Sequence, residues 1–266
     1  MNGRLMVIAF TGFVIVAASP TIESQSQSKP SFEVASVKPN NSGQRGAGLP
    51  PPVGGKFNAT NVSLKELIQY AYHIQDFQIS GTQGWMNSDR YDVIAKAEDR
   101  ANEDQIRLMV RSLLAERFKL NVHLEEKQLS QYVLVIAKDG LKMPRSMQDC
   151  SVPGDRSMPC GGFRLYQRSQ LSGRNVPIFE LIDVLAILTG RYVVNNSGLS
   201  GNFDIKLQWS PDETLALGAE TNAPPDDPGG ASLFTALQRQ LGLKLESQRG
   251  PVPVLTVDRA EKPSSN

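Results

Sequence analysis

The side chains able to do chemistry are few. Cys150 and Cys160 flank the segment SVPGDRSMP and are the only cysteines. Neither CxxC spacing nor a nearby histidine accompanies them, so a structural disulfide is expected rather than a redox or metal pair. On the chain-entropy model, closing so short a loop contributes ~3 kcal/mol. The only histidines are His73 and His123. Each could serve a distant serine as a base, but no HxxxH or HExxH spacing gives a metal-ligand set. Ser200 lies in NSGLSG, which is not GxSxG and reads as a turn between strands. Asp226-Asp227 lack the alternation and closing glutamate of a calcium loop. Asp92 and Asp204 are the carboxylate pair to nominate for acid–base work. Their place just inside a strand, after a turn, points instead to a local backbone hydrogen bond. No catalytic, cofactor-binding or metal residue is assigned, and no cofactor is expected.

Two further residues have structural roles to fill. Arg117, in LLAERFKL, adjoins a buried helix face where a guanidinium needs a carboxylate, and an ion pair with an acid such as Asp92 or Glu33 is expected. Trp85, in the turn GTQGWMNSD, is a candidate interaction anchor, with a cap on the core as the alternative.

The elements that must position these residues come in two similar sets. Ser63 and Glu66 form a capping-box pattern ahead of a stripe at Leu64, Leu67, Ile68, Ala71 and Tyr72. Strands follow at Phe77–Ser80 and Tyr91–Ala97, then a helix with Ile106, Met109, Val110, Leu113, Leu114 and Phe118 inward. Leu120–Glu125 and Tyr132–Ala137 read as a hairpin pair. The stretch from Asn175 to Trp209 repeats the order. Pro177 stands where Ser63 stood, Ile178, Leu181, Ile182 and Leu185 supply the stripe, and Gly190 is the stop. Ser200, Phe203, Asp204 and Ile205 correspond to Ser88, Tyr91, Asp92 and Val93, and Leu233–Leu245 to Val110–Val122. The offset is 114 positions, then 112, then 123, and the jump falls in the Pro/Gly/Asp-rich loop Pro211–Gly230. The expected fold is therefore α+β: two tandem related β-α-β-β-α-β-β units, each with two helices on small mixed sheets. A signal peptide (1–18) and flexible tether (19–31) precede the first unit (32–138). A linker with the disulfide loop (139–162), the second unit (163–259) and a tail (260–266) follow. Asn40–Gly55 reads as a long loop.

Composition narrows the function. The 266 residues are 40% hydrophobic and 21% charged with net charge +1, an ordinary globular balance without the basic patch of a nucleic-acid binder. Arg4, the apolar run Leu5–Ala18 and small residues at Val16-Ala17-Ala18 read as a secretory signal cut after Ala18. The run is short for a span of ~20 residues, an uncleaved anchor being the alternative. The mature chain is expected to be periplasmic or secreted, without a membrane span.

Two resemblances add to this. NVPIFELIDVLAILTGRYVVNNSGLSGNFDIKLQW with SLFTALQRQLGLKLESQRGPVPVLTVD resembles the short N-terminal module of secretins and TonB-dependent receptors. That resemblance implies a periplasmic protein-contact module without catalytic residues. The whole chain is similar to an uncharacterised secreted family numerous in soil Acidobacteria. The motifs are FEVASVKPN, NVSLKELIQYAY, SDRYDVIAKA, LLAERFKL, GLSGNFDIKLQW and SLFTALQRQLGLKLE. Some relatives are attached to membrane peptidase-type sensor segments. The expectation is a non-catalytic binding or assembly protein whose partner is an envelope or extracellular protein or glycan. A ligand-sensing domain of an envelope signalling system is the alternative, and a carbohydrate or peptidoglycan hydrolase the third.

Overall fold

The computed structural model describes residues 29–43, 46–98, 100–147, 150, 158–166, 169–210 and 231–264. The expected signal peptide and the Pro211–Gly230 loop, with Asp226-Asp227, lie outside them. The architecture is α+β, as the sequence predicts: the described residues form five α-helices and three small sheets.

The first sheet has the order β1-β4-β2, from β1 (Val34–Pro39), β2 (Lys56–Val62) and β4 (Tyr91–Lys96), all antiparallel. Its apolar face is covered by α1 (Leu64–Tyr72) and α3 (Glu103–Arg117). Both helices start on capping boxes, Ser63 with Glu66 and Asn102 with Gln105. Each box satisfies two amide groups that would otherwise lack partners. Phe57, Leu67, Ile68, Val93, Ile106, Leu114 and Phe118 fill the space between, and the Tyr91 ring meets Phe118 edge-on at 5.1 Å. A short β3 (Ile79–Ser80) and the one-turn α2 (Trp85–Ser88) connect α1 to β4.

The second sheet, β6-β7-β9, is built from β6 (Arg164–Tyr166), β7 (Gln170–Pro177) and β9 (Asn202–Gln208). It packs on α4 (Ile178–Thr189) and on α5 (Leu233–Ala236), which continues as a π turn over Leu237–Leu241. Pro177 is the N-cap of α4, without a side-chain bond, and Gly190 ends it at φ 64°. Leu171, Val176, Leu181, Leu185, Phe203, Ile205, Leu233 and Leu237 form the core.

The third sheet departs from expectation. Leu120–Glu125 and Tyr132–Ala137 are not a hairpin: β5 runs unbroken from Asn121 to Ile136. The intervening Glu126–Gln131 contains none of the Gly, Pro, Asn or Asp residues that make a tight turn, so nothing bends the strand. β10 (Leu243–Arg259) pairs antiparallel with it from Leu243 opposite Ile136 to Arg259 opposite Asn121. The sheet order is β3-β10-β5-β8, with β8 (Val193–Asn195) and β3 each parallel to its neighbour. β3 reaches only Leu255 and Thr256, so beside Pro251 β10 has a single strand neighbour and needs fewer amide donors.

The long ribbon changes how the cores divide. Leu255 and Val257, from the end of β10, are buried in the first core beside Leu120. Tyr132 and Leu134, from the end of β5, are buried in the second beside Leu243 and Leu245. Each core thus takes strand residues from both sides of the 139–162 linker, and the expected boundary does not separate two independent units.

Candidate functional site

The two nominated carboxylates lie apart, one in each sheet. Asp92 Oδ1 accepts from the Asn61 backbone amide at 2.9 Å and from Asn40 Nδ2 at 2.7 Å. Asp204 Oδ1 accepts from the Asn175 amide, also at 2.9 Å. Asn61 and Asn175 have φ 56° and 51°, and both sit where the strand register slips by a bulge. The bonds therefore cross between strands to hold a left-handed bulge residue, where the sequence suggested a local bond. Holding a bulge is a structural task.

Arg117 has an acid within reach, but neither of the two named from the sequence. Asp92 is engaged as above, Glu33 lies 3.4 Å from Lys96 Nζ, and Arg117 Nε lies 3.4 Å from Glu116. The carboxylate next to it in sequence is within reach without bending the helix end. Trp85 is half-buried against the first core, its Nε1 donating to Gln83 Oε1 at 2.7 Å and Lys262 Nζ 5.7 Å from the ring centre. Cys150 and Cys160 are bonded. Ser200 is exposed, and its carbonyl accepts from Arg145.

His123 lies on the outer side of the ribbon, with Nδ1 2.9 Å from Asp258. That hydrogen bond holds its pKa above the ordinary histidine value. Nearby, Lys127 Nζ donates to Ser80 Oγ at 3.2 Å, an arrangement that superficially suggests a serine–lysine nucleophile. Lys127 also lies 3.0 Å from Glu125, so the amine is held in an ion pair along the strand as well as at Ser80. Ser80 and Thr256 share a 2.7 Å hydroxyl contact, completing a cross-strand polar ladder.

The other histidine stands at the junction of the two cores. His73 is the left-handed C-cap of α1, which turns its ring out of the helix toward α3 and α4. Its Nε2 lies 3.2 Å from Asp183 Oδ2 on α4. Its Nδ1 contacts Arg107 on α3, and Arg107 donates to Glu103 at 2.7 Å. A guanidinium can only donate, so Nδ1 accepts and Nε2–H donates to Asp183. A cleft of about 770 Å³ opens here, lined by His73, Asn102, Glu103, Arg107, Leu108, Phe179 and Glu180. An adjoining cavity of about 340 Å³, lined by Leu49, Tyr70 and Ile74, shares His73 and Arg107.

The electrostatics of the cleft are distinctive. Burial, then the charges of Asp183 and Glu103, hold the Glu180 carboxyl above its ordinary value, against the pull of His73 and Arg107. Burial and the Glu103 charge push the Tyr70 phenol up to about 12, with Arg107 acting the other way. Phe179 and Leu108 keep 58% and 42% of their surface exposed at the mouth, apolar surface that a ligand could cover. The sequence offered His73 only as an isolated residue. Asp183, Arg107 and Glu180 carry no motif, and only the packing of α4 beside α1 and α3 brings them together.

Among the described residues no group of three or more His, Cys, Asp or Glu could hold a metal ion, and no helix is long and apolar enough to cross a membrane. No curated protein and no solved structure matches the chain. A family model described as "protein of unknown function (DUF3738)" matches residues 65–260, which takes in the second core, the first core apart from β1 and β2, the long ribbon and the cleft, and the chain belongs to that family.

Proposed function

We propose that the protein is an exported binding protein whose ligand enters the cleft between α3 and α4, in the manner of a sensing domain. The observation that carries this is the cleft itself: about 770 Å³, bounded by elements of both cores, with exposed Phe179 and Leu108 beside the His73–Asp183 contact. Both ring nitrogens of His73 are engaged, which leaves neither to take a proton from a nucleophile and favours binding over turnover. A bonded cysteine pair and the Leu5–Ala18 run support export. Protein recovered outside the cytoplasm should begin at Ser19.

The chain also reads as an internal duplication with exchanged terminal strands. Three correspondences support this: Asn61 with Asn175 on their aspartates, β3 with β8 as parallel edge strands, and left-handed Lys119 with Gly242. On this reading the cleft lies where the two copies meet.

Thermal-shift screening of a small-metabolite panel tests the binding reading, with Phe179→Asp as the control. At a hundred times Kd, a ligand stabilises the native state by about 2.7 kcal/mol. At least one compound should raise the Tm of the wild type and not of the variant. A panel without effect, or with equal effect on both, would overturn it.

One observation favours a second reading. Glu180, whose carboxyl is held above its ordinary value by burial and by Asp183 and Glu103 beside it, has the kind of perturbed carboxyl found in an acid–base hydrolase. Glycoside hydrolysis by the wild type that is lost in Glu180→Gln would establish it in place of pure binding.

A further inference from the structure

We propose that the outer face of the β6-β7-β9 sheet binds an acidic glycan, a chain of sugar units bearing carboxylates. One face of this sheet carries Leu171, Ile205 and Leu207 into the core. The opposite face presents two cross-strand rows. Tyr166, Gln170 and Gln208 are register partners in one, and Arg164, Ser172 and Lys206 in the other. Strand spacing of about 4.8 Å places these side chains within reach of one sugar ring and its neighbour.

The face is walled into a cavity of about 470 Å³. Its wall is the described end of the disulfide loop, where Met158 is buried and Gly161 N donates to Arg174 O at 2.8 Å. Ser172 is only 5% exposed, lines the cavity, and its hydroxyl has no hydrogen-bond partner among the described residues. Facing the cavity with its donor and its acceptor pairs uncommitted, that hydroxyl is available to a ligand hydroxyl.

The remaining lining defines the ligand chemistry. Gln170 and Gln208 offer planar amides, which donate and accept at once and match vicinal hydroxyls. Tyr166 supplies an aromatic surface for the apolar face of a sugar, held by Arg164 donating to its hydroxyl at 2.9 Å. Lys206 is the cation, exposed and without a carboxylate among the described lining residues. The nearest acid on that face of β9, Asp204, is already bound to the Asn175 amide. A cation beside amides and hydroxyls selects a sugar bearing negative charge.

Calorimetric titration of the intact mature chain tests this with trigalacturonate as the acidic probe and cellotriose as the neutral one. Trigalacturonate should bind, and cellotriose at least tenfold more weakly. Lys206→Met should lower trigalacturonate affinity about tenfold without changing that of cellotriose, and Gln208→Ala should weaken both. Lys206 and Gln208 are exposed, so circular dichroism should be unchanged. Phe179→Asp, in the separate α3–α4 cleft, should bind trigalacturonate like the wild type. No trigalacturonate binding, equal binding by Lys206→Met, or competition by acetate at matched concentration would overturn the proposal.

Discussion

Gln128 lies opposite Pro251 at the middle of the β5–β10 ribbon. To one side, β10 delivers Leu255 and Val257 to the first core; to the other, β5 delivers Tyr132 and Leu134 to the second. On the duplication proposed above, Pro251 would also be the counterpart of Gln128, so the pair would mark the axis relating the two copies.

Shared strands couple the stability of the two cores. Removing the end of β10 from the first core would expose Leu255 and Val257 and unpair Val122–Leu124 of β5, the same strand that carries Tyr132 and Leu134 into the second. The two tryptophans report separately, since Trp85 packs on the first core and Trp209 is buried in the second. Trp85→Phe and Trp209→Phe should therefore give single-tryptophan proteins whose fluorescence transitions in urea coincide with loss of circular dichroism. Two separated midpoints would mean that the cores unfold independently despite the ribbon.

Asp92 and Asp204 each hold a left-handed asparagine through a charge-assisted bond to its amide. Removing either carboxylate leaves that amide without its acceptor and frees the bulge to slip register. Asp92→Ala and Asp204→Ala should each cost about 1–3 kcal/mol in urea-derived stability. Asp92→Ala should cost more, because Asn40 loses its partner too. A change below about 0.5 kcal/mol would place these residues with ordinary surface substitutions.

The helices were the most legible part of the sequence. Ser63–Glu66 and the Leu64, Leu67, Ile68, Ala71, Tyr72 stripe are local signals, and the structure buries the first four in the core with Tyr72 partly buried against it. Gly190 is equally local. The ribbon was not legible in the same way. Alternation in Leu120–Glu125 and Tyr132–Ala137 identifies strands but leaves their partners open, and an adjacent hairpin is the default pairing. The clue lay in the unremarkable stretch between them, Glu126–Gln131, which lacks turn residues. The cleft was still less visible. His73, Arg107 and Asp183 come from three helices, and their meeting depends on how the halves dock rather than on any spacing. Asp92 and Asp204 were recognised as structural, yet their actual bonds reach 31 and 29 residues back along the chain, beyond the range of turn rules.

His123 gives a pH-dependent observable. Its bond to Asp258, and the nearby charges of Asp258 and Glu125, hold its pKa above the ordinary value of about 6.5. A raised folded-state pKa means that the contact stabilises fully below the unfolded value and is lost as pH rises through the folded one. By NMR, the His123 ring should titrate above the free-histidine range, and Asp258→Asn should return it toward that range. Titration at or below the free value in the wild type would remove the Asp258 bond from the solution structure.

Lys119, just after α3, and Gly242, just after the turn over Leu237–Leu241, are both left-handed, at φ 49° and 68°. A lysine there carries the steric cost of a left-handed backbone, whereas glycine does not. The reason for the difference is visible at Gly242. An added Cβ would lie 2.0 Å from the Gly140 carbonyl oxygen and 2.8 Å from Lys142 N, so the chain after β5 passes too close for any side chain. Lys119→Gly should then stabilise the protein by about 0.5–1 kcal/mol, a balance between relieved strain and a freer unfolded chain. Gly242→Ala combines left-handed strain with a backbone clash and should cost several times as much. If Gly242→Ala were as stable as the wild type, the close approach of Gly140 would not be a constraint on this turn, and the choice of glycine here over the lysine tolerated at 119 would lose its physical cause.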